Sequence, residues 1–100
     1  MSEPADPGKP LSWTFRAARD LLFLDGYYAE FGQRTADRVT AAVLAAARYL
    51  EEYPRIGVRG RRRGTRHRAV SGYPYTIVYR LRRKDVQILR VLHQSRRYFN

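Results

Sequence analysis

Residues 75–93 read Tyr-Thr-Ile-Val-Tyr-Arg-Leu-Arg-Arg-Lys-Asp-Val-Gln-Ile-Leu-Arg-Val-Leu-His. Two runs rich in β-branched, aromatic and aliphatic residues flank the charged triplet Arg83-Lys84-Asp85. Such runs favour a pleated, half-buried surface, and a turn this short joins antiparallel neighbours. The stretch therefore predicts strands over 75–82 and 85–93. A third strand over 66–71 precedes the turn Gly72-Tyr73-Pro74, which makes a meander. Apolar residues fall on both faces of the last two strands. One face is expected to meet the rest of the chain, and the other calls for further cover.

Upstream of Pro54 the apolar period changes from about 2 to about 3.6. Leu21, Leu24, Tyr28 and Phe31 recur at helical spacing and predict a helix over 17–31, with Gly32 placed to stop it. Val39, Val43, Ala46 or Ala47, Leu50 and Tyr53 predict a second helix over 35–53, capped by Thr35 and ended by Pro54. The short link between them makes an antiparallel hairpin. Leu11, Trp13 and Phe15 alternate with Ser12 and Thr14, reading as a strand over 11–15. Residues 1–10, with three prolines and a glycine, read as a flexible tail ahead of a single domain over 11–100. The expected fold class is α+β, in the order β-α-α-β-β-β, with a helical hairpin on one face of a small antiparallel sheet. Residues 54–65 are expected to be a cationic loop.

Composition narrows the function. One hundred residues, 44% hydrophobic, allow one modest core. There is no cysteine, which excludes disulfides and thiol chemistry. The longest apolar run, 41–47, is far short of the roughly 20 residues of a membrane span. With an acidic, proline-rich start unlike a secretory leader, a cytoplasmic protein without membrane contact is expected. His67 and His93 are the only histidines, so no metal site or cofactor is expected. Signatures of P-loop, dinucleotide-binding and serine-hydrolase sites are absent.

Charge is the unusual feature. Twenty Lys+Arg, eighteen of them arginine, face nine Asp+Glu. Residues 1–53 hold six bases and eight acids, net −2, whereas residues 54–100 hold fourteen bases and one acid, net +13. A surface so polarised seeks a polyanion or an acidic protein. The cluster Arg59, Arg61, Arg62, Arg63, Arg66 and Arg68 is the main candidate for that contact, with Arg96 and Arg97 beyond the last strand. The ending His93-Gln94-Ser95-Arg96-Arg97-Tyr98 also holds the groups that phosphodiester cleavage needs, a base, an acid and cations.

These residues are joined by a resemblance. Gly64-Thr65-Arg66, then Gly72 through Arg80, then Val86 through Arg96 resemble the RelE/ParE toxin superfamily, whose ending runs through Pro-Tyr, Tyr-Arg and Ile-Leu-Arg-Val-Leu-His. Trp13-Thr14, Ala17, Asp20-Leu21 and Pro54-Arg55-Ile56-Gly57 match its earlier motifs, and the likeness spans about residues 12–98. It implies the toxin of a bacterial type II toxin–antitoxin pair, forming a hetero-oligomer with a cognate acidic antitoxin. Thr76 stands where the ribosome-dependent mRNA endonucleases of the superfamily carry an arginine. Pro74-Tyr75 and the Leu92-His93-x-x-Arg96 ending resemble the ParE branch, whose known members poison DNA gyrase. The expectation is a gyrase inhibitor with no catalytic residues of its own. The alternatives are a RelE-type endonuclease acting on ribosome-bound mRNA through His93, Arg97, Tyr98 and Arg66, or a non-toxic basic nucleic-acid-binding domain.

Overall fold

The computed structural model describes residues 8–95. The order is β1 (Leu11–Trp13), α1 (Phe15–Ala29), α2 (Gln33–Glu52), β2 (Val58–Arg59), β3 (Thr65–Ala69), β4 (Tyr75–Leu81) and β5 (Val86–His93). The five strands form one sheet in the order β1-β5-β4-β3-β2, with both helices packed on one of its faces.

The α+β class and the helical hairpin match expectation, and the sheet differs from it in two ways. It is mixed, because β1 pairs parallel to β5, Leu11 opposite Val86 and Trp13 opposite Ile88. The reason is topological. The helical hairpin returns the chain to the end where β1 began, where the Lys9 N–H reaches the Glu51 carbonyl at 3.0 Å. From there β3 runs in the direction of β1, β4 returns, and β5 again runs with β1. The segment expected as a loop also contributes a fifth strand, β2, two residues paired to β3. Both edge strands are very short, which limits unwanted strand addition.

Thr14 corrects the first strand. Its hydroxyl accepts from the Ala17 N–H at 3.1 Å and donates to the Leu89 carbonyl at 3.0 Å, so Thr14 is the N-cap of α1. Phe15 is therefore the first helical residue, 80% exposed, rather than the last inward residue of a strand. Phe31, expected on the core stripe, lies past the end of α1 at 66% exposure. The second helix starts without the expected Thr35 cap. Its N-cap is Gly32, at φ +120°, a backbone conformation in which an L side chain is strained. Of the expected tail, residues 1–7 lie outside the described residues, whereas Lys9 and Pro10 contact the sheet. The Lys9 ammonium donates to the Arg82 and Arg83 carbonyls at 3.1 and 2.6 Å, and the Pro10 carbonyl accepts from Val86 N–H at 2.9 Å.

The core joins Ala17 and Leu24 of α1, Val39, Val43, Ala47 and Leu50 of α2, and Ile77, Tyr79, Val86, Ile88 and Val91 of the sheet. Its loop is fastened by Tyr79, whose hydroxyl donates to the Pro54 carbonyl at 2.7 Å and accepts from the Gly57 N–H at 2.9 Å. Burial raises the Tyr79 pKa above its ordinary value, which keeps the phenol protonated and able to donate.

Asp85 closes the β4–β5 turn. It takes Arg82 Nε and Nη2 at 2.6 and 2.7 Å and the Ser12 hydroxyl at 2.8 Å. The Arg82 hydrogen bonds, then that of Ser12, hold its carboxyl down at about 2. A carboxylate depressed in the fold stabilises it above the unfolded pKa of about 3.9 and loses that contribution as pH falls toward 2. Asp85→Asn should therefore be less stable than the parent above pH about 4, with the gap closing by pH about 2. Melting curves across that range would exclude this role for Asp85 by showing a constant gap.

Candidate functional site

A cleft of about 400 Å³ opens between α1 and the ends of β4 and β5. Its floor is apolar, from Leu24, Val91 and Leu92, and its walls are Phe23, Tyr27, Tyr75 and His93. Phe23 and Tyr27, one helical turn apart, are 63% and 58% exposed. They lie off the buried stripe of α1, on the side that faces β5. Arg16 and Arg19 stand at the rim, with the Arg19 guanidinium 5.1 Å from the Phe23 ring centre.

Asp20 fixes the geometry of this cleft. Its carboxylate takes Arg90 Nε at 2.7 Å and Nη2 at 3.0 Å, and also accepts from the Val91 N–H at 2.9 Å. Both side chains are about four-fifths buried. The Val91 amide lies beside the register irregularity at Val78/Tyr79, so Asp20 supports the backbone where the β4–β5 ladder slips. The Asp at this helical position is thus a bolt between α1 and β5.

Aromatic rings continue the wall. Tyr27 meets Tyr28 at 5.1 Å, Tyr28 meets Tyr75 at 6.3 Å, and Tyr75 meets His93 at 5.3 Å, each edge to face. Burial, followed by its hydrogen bond with Tyr28, pushes the Tyr75 pKa well up, so it serves as a neutral phenol. The Ser95 N–H donates to His93 Nδ1 at 3.0 Å, with Ser95 Oγ at 2.8 Å from the same nitrogen. That donation leaves the proton of the neutral ring on Nε2. His93 itself is exposed.

The arginines of the sequence candidates take up several different places. Arg66 is used inside the fold, its Nη1 donating to the Gly57 carbonyl at 2.9 Å and the Arg55 carbonyl at 3.2 Å. Arg68 lies with its guanidinium carbon 4.9 Å from the Tyr49 ring centre, on the helix side of the sheet. Arg59 is opposite Arg66 on the edge strand. Arg61, Arg62 and Arg63 are exposed in the β2–β3 turn. Arg96, Arg97 and Tyr98 lie outside the described residues.

Strand register sets the distance between the two candidate regions. His93 pairs with Tyr75, whereas Arg66 pairs with Tyr79. Four residues along β4 are about 13 Å, and β3 and β5 are two strand spacings, about 10 Å, apart. The structure therefore does not bring Arg66 to His93. Among the described residues no group of three His, Asp or Glu side chains could hold a metal. Among the same residues, no helix is long and apolar enough to cross a membrane.

Two features of the site were not singled out in the sequence. One is the pair Phe23 and Tyr27, whose i,i+4 spacing off the core stripe was the available signal. The other is the set Arg80, Arg83 and Lys84, which strand register brings beside the β2–β3 turn.

Residues 11–98 match the family model described as the ParE toxin of the parDE type II toxin–antitoxin system. The chain is 38% identical over 90 residues to the Y4kP protein of Sinorhizobium fredii, covering 90% of this chain and 93% of that one. It is 35% identical over 85 residues to the toxin RelE2 of Caulobacter vibrioides, covering 84% and 93%. Among solved structures it resembles a chain of the chromosomal ParDE system from P. aeruginosa at TM-score 0.75 and 24% identity, over 85% of this chain and 95% of that one. It also resembles a chain of the RelBE2 toxin–antitoxin complex from Mycobacterium tuberculosis at TM-score 0.65 and 29% identity, covering 95% and 100%.

Proposed function

The chain belongs to the ParE toxin family of type II toxin–antitoxin systems, within the RelE/ParE superfamily, and from that premise we propose that it poisons DNA gyrase and is neutralised by a cognate acidic antitoxin. The observation that carries the gyrase reading is the identity of Thr76. It sits buried on β4, where the mRNA endonucleases of the superfamily present an arginine to the scissile phosphate. The separation of Arg66 from His93 supports the same choice, because a base and a phosphate-binding cation must meet at one phosphorus. Purified protein added to gyrase and supercoiled DNA should trap cleavage complexes. Ribosomes programmed with mRNA should show no cut to lose in His93→Ala or Tyr98→Phe. Message cleaved in the ribosomal A site would overturn this reading in favour of the endonuclease, for which those variants would lose about 100-fold in rate.

The antitoxin contact follows from the cleft. Its apolar floor and exposed Phe23 and Tyr27 suit the hydrophobic face of a bound segment, and Arg16 and Arg19 suit flanking carboxylates. The amphipathic C-terminal segment of the antitoxin then lies on the helical hairpin and reaches the arginine-rich half. Apolar burial supplies the affinity, while charge raises the rate of encounter. Phe23→Ala with Tyr27→Ala should accelerate dissociation by about 1,000-fold, since buried aromatic anchors each carry about 2 kcal/mol or more. Added salt should slow association and leave dissociation nearly unchanged. Association rates insensitive to salt would exclude the electrostatic half of this account.

A further inference from the structure

Two cationic turns far apart in the sequence meet at one end of the sheet. Thr65 pairs with Arg80, and Leu81 pairs with Val86. That register places the β2–β3 turn, with Arg61, Arg62 and Arg63, beside the β4–β5 turn, with Arg82, Arg83 and Lys84. Two strand spacings, about 10 Å, separate the centres of these hairpins. Arg80 leads into the second turn and is half-exposed, and the five residues Arg61, Arg62, Arg63, Arg83 and Lys84 are exposed. Asp85 is the one carboxylate of the two turns, and it is engaged by Arg82 and Ser12. Among the described residues, none of the five exposed cations forms an ion pair.

The character of this end decides its partner. Neither turn carries a large apolar side chain, so nothing here would anchor the hydrophobic face of a protein segment. The cleft described above lies at the opposite end, where β5 finishes at His93. Two exposed turns in which arginine is the dominant side chain fit a repeating array of phosphates, which guanidinium forks bind bidentately. His67, near the first turn, adds no charge at neutral pH because burial lowers its pKa.

We propose that the end of the sheet formed by the β2–β3 and β4–β5 turns is a nucleic-acid backbone-binding surface, separate from the antitoxin cleft. It would let the toxin hold the phosphate backbone of a duplex directly, in addition to any protein target. The proposal goes beyond the gyrase reading and is tested without gyrase, so the two can fail independently.

The experiment measures binding of the full chain to a labelled DNA duplex of about 20 base pairs, and to an RNA duplex of the same sequence, between about 50 and 200 mM salt. Each phosphate contact contributes about 0.9 to the slope of log affinity against log salt. Arg61→Ala, Arg62→Ala and Arg63→Ala together should reduce the slope by about 3 and weaken binding at least tenfold. The control is Arg34→Ala, Arg38→Ala and Arg48→Ala, which removes the same charge from exposed positions on α2 and should change the slope by less than about 1. Melting curves verify that both variants fold. Tighter binding of one duplex identifies DNA or RNA as the source of the phosphates. Equal losses in the two triple variants would overturn the proposal. So would competition by poly-glutamate as effective as that of unlabelled duplex at equal charge.

Discussion

Asp20→Ala is expected to lower the melting temperature by about 10–20 °C, the shift that a loss of about 2–3 kcal/mol gives in a chain this size. The Asp20 carboxylate joins α1 to β5. It pairs with Arg90 through two hydrogen bonds and accepts a third from the Val91 amide. Removing one partner of a buried pair takes from the other charge a contact that offsets its desolvation, at a cost of about 3–5 kcal/mol in fully buried cases. Asp20 and Arg90 keep some contact with water, so the lower figure applies. The amide left beside the ladder irregularity adds to the loss. Arg90→Ala made in the Asp20→Ala background should cost less than it does alone, because the two residues act as one unit. Strict additivity in that cycle, or a loss below about 0.5 kcal/mol for Asp20→Ala, would show that the pair is dispensable.

Gly57→Ala should be comparably severe. No unusual backbone angle requires this glycine, since its φ is not positive. The requirement is space. An added Cβ would overlap the Tyr79 hydroxyl and lie 2.7 Å from Tyr79 Cε1 and 2.9 Å from the His67 carbonyl oxygen. The ring is fully buried and one contact is backbone, so neither neighbour can move away freely. Overpacking of this kind costs about 1–3 kcal/mol, and here it also strains the two hydrogen bonds of the Tyr79 hydroxyl. A loss of about 3 kcal/mol is expected from urea denaturation. Tyr79→Phe alone should cost about 1–3 kcal/mol, as the Gly57 amide and Pro54 carbonyl lose their partner. The double variant should lose less than the sum, since removing the hydroxyl relieves part of the overlap. A Gly57→Ala protein as stable as the parent would refute the close approach.

Local pattern made most of the fold readable. Alternating residues in 75–81 and 86–93 and the helical stripe of α2 are short-range signals, and the strands and helix lie where those signals point. The departures have non-local causes. Trp13 and Phe15 share a period-2 phase, but the bond from Thr14 to Leu89, 75 residues away, ends the strand between them. The parallel partner of β1 depends on how many times the whole chain reverses, which no window of sequence records. The site was readable in part. The arginine run 59–68 stood out by composition, yet Arg66 is committed to two carbonyls and Arg68 to a tyrosine ring. The cations that join Arg61–Arg63 come from a turn about 20 residues later, brought near by strand register alone.

The pairing of β1 with β5 also sets a timetable. Leu11 meets Val86 and Trp13 meets Ile88, so β1 waits for a neighbour 75 residues further along the chain. A ribosome adds about 5–20 residues per second, and contacts so distant along the chain form slowly even after release. Until β5 emerges, β1, the β4 edge and the floor of the α1 cleft have no partner, and neither the cleft nor the paired turns exist. The nascent chain thus lacks the finished cleft until β5 has been made. Antitoxin already in the cell would meet the finished surface at the moment it forms.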